Sequence, residues 1–84
     1  MRQVRLTLSD AFSQVVAKHR EEKGLSRAAL ARLASLHQTY IGLLERGERT
    51  PNLDTANAIA RALGKSLEGI ITEAGKLQKT GKCR

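Results

Sequence analysis

The chain breakers of this 84-residue sequence constrain its fold more than any other feature, because they cut it into pieces too short to fold alone. Gly24, Gly47, Pro51 and Gly64 punctuate it, and the residue before a proline disfavours helix. Between them lies room for helices of roughly 8–13 residues, which are marginal in water and persist only by packing an apolar stripe.

Such stripes are present at helical spacing. Ser9 and Asp10 open a segment whose inward positions are Phe12, Val15, Val16 and His19. Arg20 and Lys23 fall in its last turn, where the helix dipole favours cations, and Gly24 closes it. Ser26 has the chemistry of an N-cap for a second helix with Leu30, Ala31, Leu33 and Ala34 as its inner face. After Ser35-Leu36-His37, a third helix is expected from about Gln38 to Arg46, with Ile41 and Leu44 inward. The stretch GERTPN, 47–52, reads as a turn. A fourth helix, from about Asp54 to Leu63, presents Ala56, Ile59, Ala60 and Leu63, and Gly64 ends it. Ser66 caps a fifth carrying Leu67, Ile70, Ile71 and Ala74. Val4, Leu6 and Leu8 alternate as in a short extended arm. The pattern predicts an all-α, compact five-helix bundle spanning residues 8–74, with an N-terminal arm at 1–7 and a basic, flexible tail at 75–84.

The formal charge of +7 points toward an anionic partner, but its distribution restricts the argument. Residues 8–73 hold nine basic side chains and all eight acids, so most of the excess sits in the two ends. The longest uncharged run, Leu33 to Leu44, is far short of a membrane span. The opening MRQVRLTL is too short and polar for a secretory signal, which makes the cytoplasm the expected compartment. The lone cysteine, Cys83, can form no internal disulfide and no metal site.

The stretch from Arg27 to Leu44 carries the functional information. Two helices crossing steeply need a small residue where they touch, and Ala31 supplies it. They also need a tight turn, Ala34-Ser35-Leu36, with apolar plugs at Leu30, Ala34, Leu36, Ile41 and Leu44. With LERGERTPNL and IARALG following, the segment from about Phe12 to Ile71 resembles the Cro and phage-repressor family of helix-turn-helix domains, lambda-repressor-like in fold. Ser35 stands where that family usually has glycine, costing about 1 kcal/mol if its φ is positive. Gly42 inside the third helix is about 1 kcal/mol worse than alanine; either the helix passes very close to something there or the cost is tolerated.

The resemblance implies duplex DNA as the partner, with the third helix in the major groove and the second across the backbone. It places His37, Gln38, Thr39 and Leu43 at base edges, with Gln38 suited to bidentate pairing with adenine. Leu43 has a second reading, as a half-buried cover for the core. Phosphate contacts are implied for Ser26, Arg27, Tyr40, Arg46, Arg49 and Thr50. Arg20 and Glu45 would form an internal ion pair. A homodimer joined through Leu67, Ile70, Ile71, Ala74 and Leu77 would bind a palindromic operator, making the chain a sequence-specific transcriptional regulator, either repressor or controller.

Other classes fit less well. The acids are scattered and no phosphate loop is present, so no enzyme, cofactor, metal or small-molecule ligand is expected. Single-strand binding relies on stacking aromatics, and only Phe12 and Tyr40 are available. The alternative is an antitoxin that binds DNA and masks a protein partner. The short tail lacks the apolar anchors such a segment would need.

Overall fold

The computed structural model describes residues 6–80. It contains α1 (Leu8–Glu22), α2 (Arg27–Ala34), α3 (Gln38–Glu45), α4 (Leu53–Ala62) and α5 (Leu67–Thr80), with no strand among the described residues. The expected five-helix, all-α class is the observed one. The longest helix but one is α5, and α1 packs against it and against α3, while α2 packs on α3 and α4. Leu30, Ile41, Leu44, Ile59, Leu63, Ile70 and Val16 are fully buried at the centre. Every helix therefore contributes to one core.

Each helix starts where a side chain can satisfy an orphan amide. Ser26 Oγ accepts from Ala29 N at 3.0 Å, Asn52 Oδ1 from Thr55 N at 2.8 Å, and Ser66 Oγ from Gly69 N at 3.0 Å. Three helices end alike, with glycine in the left-handed region: Gly24, Gly47 and Gly64 have φ of +71°, +76° and +74°. The amide after each reaches back to close the last turn, as Leu25 N does to Arg20 O at 3.0 Å.

Four expectations need correcting. First, α1 begins at Leu8, one residue before Ser9. Thr7 is the N-cap, its Oγ1 accepting from Asp10 N at 3.0 Å, and Leu6 just before it packs on the core. Leu8 thus belongs to α1 and not to an extended arm, while Val4 and residues 1–5 lie outside the described residues. Second, α4 starts at Leu53, because Asn52 caps it. Third, Leu33 is 59% exposed. The inner arc of α2 is Leu30, Ala31 and Ala34, and at roughly 100° per residue Leu33 falls about 60° outside the edge that Leu30 marks. Fourth, α5 does not give way to a tail at Gly75 but runs to Thr80. Leu77, two turns beyond Ile70, packs on the core and carries the helix past the glycine. The remaining residues of the expected tail, 81–84, with Cys83, lie outside the described residues.

The turn between α2 and α3 carries local strain. Ser35 adopts φ 58°, ψ 43°, the one non-glycine residue with positive φ among those described. Leu36 N closes the turn on Ala31 O at 2.7 Å. Relief of the left-handed penalty outweighs the greater freedom glycine gives the unfolded chain. Ser35→Gly is therefore expected to add about 0.5–1 kcal/mol, a rise of roughly 2–8 °C in the thermal midpoint. Calorimetry that found no rise would show the turn to be unstrained.

Candidate nucleic-acid interface

The helix-turn-helix unit is α2, its left-handed turn and α3. Its inner arc, Leu30, Ala31, Ala34, Ile41 and Leu44, is buried. Burying that arc leaves the opposite face of α3 to solvent. At 3.6 residues per turn, Gln38, Thr39, Gly42 and Arg46 share one side of the helix, with Leu43 at its edge. Gln38, Thr39 and Arg46 are exposed, Gly42 is buried and Leu43 is half-buried, so both readings of Leu43 describe part of its surface. The Gln38 side chain makes no hydrogen bond among the described residues.

His37 has a local task that spacing did not reveal. It is the N-cap of α3, with Nδ1 accepting from Thr39 N in a long 3.4 Å contact. Only Nε2 of the neutral ring is then left to donate outward. The question posed by Gly42 is answered by its neighbour one turn on. A Cβ at this position would lie 3.3 Å from Arg46 Nη1. The absence of a side chain lets the Arg46 guanidinium lie against the helix, and Arg46 Nε donates to Glu48 Oε2 at 3.3 Å. Glu48 thus offsets part of the charge of Arg46.

The other expected phosphate residues surround this face. Ser26 and Thr50 are exposed, and the Arg49 guanidinium stands 5.9 Å from the centroid of the Tyr40 ring. This cation–π contact holds Arg49 against a side chain from the first turn of α3. Tyr40 itself is half-buried and packs on the core. Arg27 begins α2, directly after its cap, where free amides and the positive dipole end favour an anion.

Glu45 organises these groups. Its side chain is only 3% exposed. Arg20, itself buried, donates to it from Nε at 2.6 Å and Nη2 at 3.1 Å, and gives Nη1 to the Leu25 carbonyl at 2.7 Å. Arg27 Nε donates to the same carboxylate at 2.8 Å. The Arg20–Glu45 contact was implied by resemblance; the bond from Arg27, 18 residues away in sequence, had no signal that could announce it. His19 is buried between α1 and α5, with Nε2 on Glu73 Oε1 and Nδ1 3.5 Å from Glu22.

The proposed dimer residues divide. Ile70 and Ala74 have no exposed surface and are spent in the protomer's own core, because one stripe of α5 must cover α1. Leu67, Ile71 and Leu77 are partly buried. Among the described residues, no group of three His, Cys, Asp or Glu could hold a metal ion, and no helix is long and apolar enough to cross a membrane.

Comparison with known proteins agrees with this geometry. Residues 16–70 match the family model for the helix-turn-helix, HTH_3. The control protein C.SmaI of Serratia marcescens is 33% identical over 76 residues, which is 90% of either chain. The immunity repressor protein of Bacillus phage phi105 is 37% identical over 54 residues, 64% of this chain and 38% of that one. The crystal structure of the restriction-modification controller protein C.AhdI from Aeromonas hydrophila superposes with a TM-score of 0.70. It is 34% identical, covering 73% of this chain and 92% of that one. The chain belongs to the helix-turn-helix family, among its Cro- and phage-repressor-type members, and is a DNA-binding transcriptional regulator.

Proposed function

We propose that the protein acts as a cytoplasmic homodimer on a two-fold-related duplex site, with α3 of each protomer in a major groove, and that it catalyses no reaction. The observation that carries this reading is the outer arc of α3. It presents the unpartnered carboxamide of Gln38 beside Thr39, flanked by the cations Arg27, Arg46 and Arg49. Gln38 reads a base and the arginines attach to phosphate, which divides specificity from affinity. Control of a restriction-modification system is the physiological context favoured by the similarity to the restriction-modification controller C.AhdI, beside that to the control protein C.SmaI.

The dimer surface follows from what the core leaves over. With Ile70 and Ala74 consumed, two of the three exposed large apolar side chains among the described residues, Leu8 and Leu53, gather around the start of α4, while Leu33 stands apart on α2. Leu53 is 77% exposed and Leu8 42%. Both line a cleft of about 130 Å³ together with Phe12, Pro51, Ala56 and Ile71. A second copy seated here, with Ile71 and Leu67 contributing from α5, would place two α3 helices on one face of the duplex, roughly 34 Å apart.

Two measurements test the reading. Gln38→Ala should weaken binding to the best operator by about 1–3 kcal/mol and erase preference at one base pair. Arg49→Ala should weaken all sequences alike and reduce the slope of log K against log salt by about 1 per protomer. The opposite assignment of effects would make the loop after α3 the reader and refute the docking. For the dimer, Leu53→Glu should raise the dissociation constant in sedimentation by about tenfold or more, since one leucine is buried from each side. Unchanged association would move the interface elsewhere.

A further inference from the structure

We infer that Glu45 is a positioning residue for DNA binding: it holds the Arg27 guanidinium at the N-terminus of α2 with its remaining donors turned over to a phosphate. The inference rests on the reading of Arg27 as a phosphate contact. Arg27 Nε is committed to Glu45 Oε1 at 2.8 Å, yet half of the Arg27 side chain is exposed. Its Nη1 and Nη2 groups have no partner among the described residues. A guanidinium can serve two anions at once because its donors form a planar fork.

Glu45 is itself immobile. Two bonds from Arg20 fix it, and its side chain is 3% exposed. A lysine or arginine on a free stem loses much of its rotamer freedom when it meets a phosphate. Arg27 has lost that freedom already on folding, so the contact with DNA is made at lower entropic cost. Beside it, the Ser26 hydroxyl takes up Ala29 N. The amides of Arg27 and Ala28, which open α2, stay available to the same anion.

This role makes a prediction opposite in sign to simple electrostatics. An acid close to DNA repels it, so neutralising Glu45 should tighten binding if the residue acts only through its charge. If it positions Arg27, neutralising it should loosen binding, and only while Arg27 is present.

The test uses the full chain and a short fluorescent duplex of mixed sequence, with anisotropy followed over a salt series and thermal melts confirming the folded fraction. Arg27→Ala should reduce the salt slope by about 1 per protomer. Glu45→Gln should weaken binding about three- to tenfold in the native background, and should not weaken it further in the Arg27→Ala background. Arg27→Lys keeps the charge and leaves the Arg20–Glu45 pair untouched, but cannot bridge two anions with a planar fork. It should also bind about three- to tenfold more weakly. Should Glu45→Gln fail to fold, Arg27→Lys decides alone. Wild-type affinity in Arg27→Lys, tighter binding by Glu45→Gln, or equal weakening in both backgrounds would overturn the positioning role. An unchanged slope in Arg27→Ala would overturn the phosphate assignment itself, and the positioning role with it.

Discussion

A carboxylate taken almost wholly out of water must be neutralised where it stands, and that requirement fixes how the two halves of this domain meet. Glu45, at the end of α3, receives Arg20 from α1 and Arg27 from α2. Removing one partner of such a buried pair typically costs about 3–5 kcal/mol. The entire stability of a domain this size is only about 5–15 kcal/mol. The network is thus weak evidence for extra stability but firm evidence for geometry: three helices must present these groups at one point or carry an unpaired buried charge.

The apolar core then does what the ion pairs cannot. Helices of eight residues, as α2 and α3 are, have little stability of their own. Both are held by Leu30, Ala31, Ala34, Ile41 and Leu44, which face each other across a turn that only a left-handed residue completes. Because the inner arc supplies the cohesion, the exposed positions of α3 are released from structural duty. They can carry a glutamine and a threonine without endangering the fold. On the proposed docking, function occupies the surface that stability does not need.

The sequence revealed periodicity and punctuation well, and partnerships poorly. Stripe spacing and breakers located all five helices, since burial imposes a period on local sequence. Ser26, Gly24 and Gly64 marked boundaries because caps are local. Leu33 was misplaced because a stripe defined by spacing alone does not say where its edge lies. Gly75 suggested an ending, yet Leu77 outweighed it through a contact made with α1 and the core. Ile70 and Ala74 looked like surplus apolar area, though α1 required them. Resemblance supplied Arg20 and Glu45, but the third member, Arg27, emerged only once α2 and α3 were folded together. The stacking of Arg49 on Tyr40 likewise depends on chain geometry in three dimensions, whereas the cap by His37 is local but made by a side chain outside the usual N-cap set.

On the proposed docking, one face, formed by the start of α2 and the outer arc of α3, meets the duplex. Backbone amide shifts of the isotopically labelled protein, followed while duplex DNA is added, report that face directly. The largest changes are expected at Ser26 to Ala28, His37 to Thr39 and Arg46 to Thr50, with the α1–α5 groove around Lys18, Glu73 and Lys76 little affected. Changes centred on that groove, with α3 undisturbed, would contradict that docking.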